Sequence, residues 1–259
     1  MIEPSEPGSW EMLQSVCARI LAECGLITEV EKKMILARGA AVIDVYAIDR
    51  KAILPSSCVI ECKFWRKRVP QSVVHAVRSV VADSGASHGF IISAQGFQKG
   101  AHEAAKFTNV RLLSYAQFEA FFEPIWTDAY LRPELFKVID PLIEYTEPIN
   151  SRIFRKADKL DANRRSRFVE LRKAHFGLAM VAMLFSMRAA VPWVSGTVLA
   201  PAVSGSLRLP LSLSGDEPHL SDLPKALRTE RSARRFLQLY KACAIAAITE
   251  FDEVFGERA

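Results

Sequence analysis

The chain has 259 residues, half of them hydrophobic and 24% charged, which is enough to bury one or two cores and excludes a disordered or collagenous protein. A formal net charge of +5 and a pI near 9.0 lean toward a polyanionic partner without identifying one. The five cysteines (Cys17, Cys24, Cys58, Cys62, Cys243) form no C-x-x-C pair, which argues against a disulfide framework or a zinc site and fits a reducing, cytoplasmic compartment; the acidic start Met1–Pro7 has no secretory-signal character.

Trp10 to Gly25 reads as an amphipathic helix, with Leu13, Val16, Ile20 and Leu21 at helical spacing, Ser9 as cap and Gly25 as stop. Leu36 to Gly39 reads as a loop or short strand leading into a strand over Ala41–Ile48. A polar connection through Pro55 separates it from a second strand, Cys58–Trp65, and the two are expected to pair antiparallel. Pro70 and Ser72 introduce a helix to about Asp83, broken by Gly85. His88–Ser93 is a short buried strand, Gly96–Phe107 a turn entering a helix, Val110–Leu113 a further strand, and Ala116–Phe122 a short closing helix. This order predicts an α/β domain with a mixed central sheet covered by helices on both faces.

After Glu123-Pro124 the pattern turns mostly helical, over about Pro133–Met187 and again over Pro224–Phe255. Val191–Pro218 is rich in Pro, Ser and Gly and reads as irregular, with a short strand near Leu207–Leu213. Two domains are expected, residues 1–124 and 125–259. The apolar run Phe176–Met187 falls short of the roughly 20 residues a membrane span needs, so it reads as a buried helix.

Side chains alternate across a strand, so Val59, Glu61 and Lys63 face one way and Ile60, Cys62 and Phe64 the other. On the preceding strand Val42, Asp44 and Tyr46 should share a face, which lets Asp44 stand beside Glu61. Two carboxylates in one pocket repel unless a cation lies between them, and oxygen ligands suit Mg²⁺ or Mn²⁺. The Cys62 carbonyl could add a ligand, and Lys63 could hold the attacking water and offset phosphate charge. The simpler alternative is a structural salt bridge of Lys63 with Glu61 or Asp44.

Taken in order, these pieces resemble the PD-(D/E)xK nuclease superfamily, and more narrowly the Mrr-like (type IV) restriction endonucleases. Trp10-Glu11 resembles the aromatic–Glu pair of the family's first helix, Val42-Ile43-Asp44-Val45 its acidic strand, and Ile60-Glu61-Cys62-Lys63 its E-x-K strand. Ile91-Ile92-Ser93, Gly96-Phe97 and Ala101–Ala105 resemble the strand, turn and helix that follow, so about residues 9 to 123 are covered. Ile43 replaces the proline of the superfamily's name, and Arg38-Gly39-Ala40-Ala41 stands where the family often has glycines. The resemblance implies a restriction-endonuclease-like fold, a metal-dependent DNA endonuclease serving defence, and catalytic residues Asp44, Glu61, Lys63 and Glu11; the alternatives are a repair or junction-resolving nuclease on the same fold, or an inactive nuclease fold that binds DNA or acts as a scaffold. Glu11 could equally face the positive end of its helix dipole.

Three further places bear on DNA. The turn Ser93–Gly100, with Lys99, opens a helix whose N–H groups could hold a phosphate, or is a plain helix start. Gln71, His75 and Arg78 follow the E-x-K strand and either approach phosphate or, more simply, are solvated and capping residues. Arg152 to Lys173, including Arg164 and Arg165, is dense in cations and reads either as a phosphate-contacting face or as a solvated mixed-charge helix. The expected partner is DNA, with no membrane span, and the assembly state is left open, a homodimer included.

Overall fold

The computed structural model describes residues 1–51, 55–147, 149, 151–190, 209–211 and 222–256. The irregular stretch expected over Val191–Pro218 and its short strand fall almost wholly outside the described residues, as do the side chains of the apolar run from residue 182 onward. The chain divides into two compact units, Ser5–Ala129 and Tyr130–Ala259, the second also taking in Ile2–Pro4.

The first unit begins with α1 (Trp10–Glu23), whose N-terminus is capped by the Ser9 hydroxyl accepting from the Met12 N–H at 3.2 Å. Gly25 then turns the chain with φ +94°, a conformation glycine adopts without strain. A five-stranded sheet follows in the order β1 (Ile27–Leu36), β2 (Gly39–Asp49), β3 (Ser56–Lys63), β4 (His88–Ser93), β5 (Val110–Ser114). The first three strands are antiparallel neighbours, and β3, β4 and β5 run parallel. Parallel neighbours need crossovers, supplied by α2 (Gln71–Ser84) and α3 (Lys99–Ala105). α4 (Tyr115–Trp126) closes the unit behind a capping box of Ser114 and Gln117, and Pro124 stands inside this helix instead of ending it.

β1 is a full ten-residue strand where only a short lead-in at Leu36–Gly39 was expected. It lies at the sheet edge and carries Glu29, Glu31, Lys32 and Lys33, charges that discourage edge-to-edge pairing and hide the alternation from a hydropathy reading.

One face of the sheet packs on α2 and α3 through Ile43, Val59, Val74, Val77, Val81, Ile91 and Val110. The fit is close at Gly89, where a Cβ would stand 2.8 Å from a Val81 methyl. The opposite face receives α1 and α4: Phe90 meets the rings of Phe121 and Phe122 at 5.8 Å, and Trp126 Nε1 donates to Glu23 at 2.6 Å.

The regular elements described in the second unit are all helices: α5 (Arg132–Thr146), α6 (Ser151–Ala157), α7 (Ala162–Ala190), α8 (Lys225–Thr229) and α9 (Ala233–Phe255). Its core is aromatic, with Tyr145 stacked on Phe251 at 4.7 Å and Phe168 edge-on to Phe255 at 5.3 Å. No helix of the described residues is long and apolar enough to cross a membrane.

Candidate active site

Asp44 occupies an interruption in the sheet. The β1–β2 ladder runs from Ile27↔Ile48 to Leu36↔Gly39 but skips the step at Glu31 and Asp44, and the β2–β3 ladder starts only at Val45↔Ile60. Glu31 has φ +51°, a left-handed conformation uncommon for a residue with a side chain. Across this step the alternation slips: Ile43 and Tyr46, three residues apart, pack into the same cluster, and Lys32, the partner of Ile43, lies 4.2 Å over the Tyr46 ring. In a regular strand these two residues would face opposite sides. The face expected to be shared by Val42, Asp44 and Tyr46 is interrupted by a local twist, with Val42 exposed, Ile43 and Asp44 buried, and Tyr46 packed in one cluster with Ile43 on the α2 side.

The slip places the carboxylate where a backbone partner would otherwise be. Asp44, 9% exposed, accepts the Cys62 N–H on Oδ2 at 2.7 Å, so its side chain closes a hydrogen bond that the ladder leaves open. One step beyond Val45↔Ile60 the register sets Asp44 opposite Glu61. Glu61 binds protons more tightly than an ordinary carboxylate, first because it is desolvated and then because Asp44 is close; the hydrogen bond and charge of Lys63 act in the other direction. Lys63 forms an ion pair with Glu61 on the same strand face, with side chains 17% and 26% exposed respectively.

Beneath this group, Cys62 faces α1. A hydrogen bond with Cys17 and then burial raise its thiol pKa, which leaves it a core residue. Gln14, one helical turn before Cys17, is buried to 3% exposure and its Nε2 has no hydrogen-bond partner. Glu11 stands apart on the exposed N-terminal turn, where the Glu11 backbone and then the Ser9 hydroxyl hold its carboxyl below the usual range.

Strand β4 brings the Ser93–Gly100 turn alongside. Lys63 pairs with Ser93, the Ala94 N–H donates to the Lys63 carbonyl at 3.2 Å, and Ser93 Oγ donates to Gly96 O at 3.0 Å. Lys99 thus begins its helix on a turn attached to the Glu61–Lys63 strand end. Gln71 lies against Gly100, but His75 and Arg78 do not join this group: with Arg38, Phe107 and Asn109 they line a separate cavity of about 730 Å³, and Arg78 donates to Ala104 O. In the second unit Arg164 and Arg165 are more than half exposed and paired with Asp161 and Asp158.

Sequence reasoning passed over the segment directly after Lys63. Phe64, Trp65, Arg66, Lys67 and Arg68 are all exposed, and the loop ends at Val69, whose N–H donates to Gly96 O while its carbonyl accepts from the Gln98 N–H. The strand expected over Cys58–Trp65 ends at Lys63, and the signal was legible as two aromatics followed at once by three cations.

Residues 7–122 match the family model of the Mrr catalytic domain, described as a restriction endonuclease. No curated protein matches the chain. A crystal structure of a protein of unknown function, AF1548, is similar with a TM-score of 0.35 and 15% identity, covering 71% of this chain and 97% of that one. A mixed five-stranded sheet between helices, an acidic strand followed by Glu-x-Lys in the expected order, and the family match over the same stretch agree: residues 7–122 are a domain of the Mrr-like restriction endonuclease family.

Proposed function

We propose that an N-terminal domain of about residues 1–124 is a Mg²⁺- or Mn²⁺-dependent endonuclease that hydrolyses DNA phosphodiester bonds, serving defence as the family's restriction role implies. The observation that carries the reading is the juxtaposition of Asp44 with a Glu61 whose proton affinity is raised by burial and by that neighbour. Like charges held together in a desolvated place call for a cation.

The residues fit such an ion. Among the described residues no three His, Cys, Asp or Glu side chains converge on one point. Mg²⁺, however, is commonly held by one or two carboxylates with water completing its shell. Asp44, Glu61 and the Cys62 carbonyl would supply the protein ligands. When bound, the ion lowers the pKa of a water and offsets charge on the phosphate. Asp44 is already oriented by the Cys62 N–H, so little ordering remains to be done. Glu61 would hold the ion, whose positive charge would offset the burial and the Asp44 repulsion that raise its proton affinity. Lys63, released from its ion pair when the carboxylate turns to the cation, stabilises negative charge that grows on the phosphoryl oxygens.

Glu11, on the same helix as Gln14 and Cys17, is the carboxylate proposed to complete the site, leaving its exposed cap to do so. Lys99, Arg164 and Arg165 are proposed as phosphate contacts. The ion pair of Lys63 with Glu61 also favours a second reading, a DNA-binding domain whose charges serve only stability. Plasmid nicking with and without Mg²⁺ separates the two, paired with calorimetry of Mn²⁺ binding. Wild type should nick only with the metal, and Asp44→Asn should lose both nicking and Mn²⁺ affinity. Nicking unaffected by chelator, or unchanged affinity in the variant, overturns the site.

A further inference from the structure

The Phe64–Arg68 loop differs from ordinary surface in three respects that point the same way. Two large aromatics stand next to each other and exposed, Phe64 at 39% and Trp65 at 37%. Burial would favour both rings, and isolated exposed apolar residues are common, but an adjacent pair beside a cluster of charges is a feature of binding surfaces. Second, Arg66, Lys67 and Arg68 have no acidic partner among the described residues, so their charge is uncompensated. Third, the loop is held in place. Its base is fixed by the Val69–Phe97 bridge and the hydrogen bonds of Val69 with Gly96 and Gln98, and Lys63 Nζ lies 5.2 Å from the Trp65 ring centre with Lys67 Nζ at 5.9 Å.

Aromatic faces and cations together bind nucleic acid in a particular way. The cations hold phosphates without regard to sequence, while an aromatic ring stacks on a base only where the base is already unstacked from its neighbours. On continuous duplex a ring finds a stacking partner only by prying a base step apart, at a cost of a few kcal/mol. We propose that Phe64–Arg68 is a platform for unpaired bases, and that the DNA taken by this site carries a single-stranded segment, as at an end, flap or junction. The proposal rests on the nuclease reading for its position beside Lys63, but not for the binding itself. Lys63 begins the loop, so a strand stacked on Trp65 has its adjacent phosphate next to Lys63 and Glu61. The stacked bases would set which bond is presented.

The test uses the full chain in EDTA, where cleavage is suppressed, with fluorescein-labelled probes of one sequence: a single strand, a forked duplex and a blunt duplex. Anisotropy should show the forked and single-stranded probes binding more tightly than the blunt duplex. The double variant Phe64→Ala, Trp65→Ala should weaken those two probes by about 5- to 150-fold and the blunt duplex little. Trp65→Tyr, which keeps a stacking face, should restore most of the loss. Equal affinity for all three probes, or a double variant that binds them as wild type does, overturns the proposal. So does concentration-dependent self-association that the double variant abolishes, since the rings would then be a contact between copies of this chain. Fork preference without any cleavage in Mg²⁺ would leave the platform standing and remove the nuclease reading.

Discussion

Two stretches of this chain are rich in cations, and they use them differently. From Arg152 to Lys173 most of the positive charge is spent inside its own unit. Arg152, Arg164, Arg165 and Arg167 each face a carboxylate, while Arg172 lies 4.5 Å over the Phe154 ring and donates to the carbonyls of Thr146 and Glu147. From Lys63 to Arg68 the only carboxylate engaged among the described residues is Glu61, and the three cations that follow face water. In sequence the longer stretch is the more conspicuous. Counting cations overrates it, because the count omits Glu144 and Glu250, which come from elsewhere in the chain and pair with Arg152 and Arg167. A free cation, not a dense run of cations, is what a phosphate can use.

The largest effect should come from Lys63. Lys63→Ala removes a donor aimed at growing charge, so cleavage should fall about 10²-fold or more, with folding and DNA binding retained. A purely structural pair predicts the reverse, a lower melting temperature and an unchanged rate. Lys106→Ala serves as the paired control, because its exposed ion pair with Glu103 contributes about 1 kcal/mol at most and its loss should alter neither quantity much. A Lys63→Ala enzyme cutting at the wild-type rate would remove the catalytic assignment.

The next effect sharpens the comparison directly. Replacing Arg66, Lys67 and Arg68 together by Ala should reduce the slope of log K against log salt by roughly 2 to 3 on duplex DNA, at about 0.9 for each phosphate no longer neutralised. Reversing Arg164 and Arg165 to Glu should weaken binding less, since reaching a phosphate first requires them to leave Asp161 and Asp158. Equal changes in slope would mean that the ion pairs of the helical unit open readily on DNA and that pairing does not distinguish the two regions.

What the sequence disclosed follows the same division between local and assembled features. Helix α1 and strand β4 were legible because their signals are contiguous: Ser9 and Gly25 bracket one, and an apolar run with a polar border marks the other. The Glu61–Lys63 pair was legible because strand alternation alone puts both on one face. The position of Asp44 was expected beside Glu61, but the way it gets there was not. Its approach depends on the slip at Glu31 and Asp44, a property of three paired strands that no single strand's pattern carries. β1 escaped for a related reason, since an edge strand needs few apolar residues and disguises itself with charge. Glu11 was placed by likeness to a motif, whereas the buried polar group on that helix is Gln14.

The smallest effect, and the one that isolates the site's electrostatics from its chemistry, concerns Glu61 without metal. At neutral pH the wild-type site holds Asp44, Glu61 and Lys63, a net charge near −1, whereas Glu61→Gln leaves one carboxylate and one ammonium. Relief of like charges facing each other across strands is worth a few tenths to about 1 kcal/mol, so the metal-free variant should melt slightly higher than wild type. The pH dependence fixes the cause. The folded-state pKa of Glu61 is raised, by burial first and Asp44 next. A group raised in this way contributes its stability below the unfolded pKa and loses it as pH climbs through the folded value. The advantage of Glu61→Gln should therefore be larger at about pH 8 than at about pH 4, near the ordinary Glu range, where wild-type Glu61 takes up a proton and resembles the amide. Adding Mg²⁺ should reverse the order, because an ion that binds only the folded site stabilises wild type more than a variant lacking one ligand. Melting curves of both proteins in EDTA and in Mg²⁺, at the two pH values, read all of this without any cleavage. A variant that melts lower than wild type in EDTA at both pH values would show that the Lys63 ion pair outweighs the repulsion from Asp44. Glu61 would then be a structural partner of Lys63, and no cation would be needed to explain it.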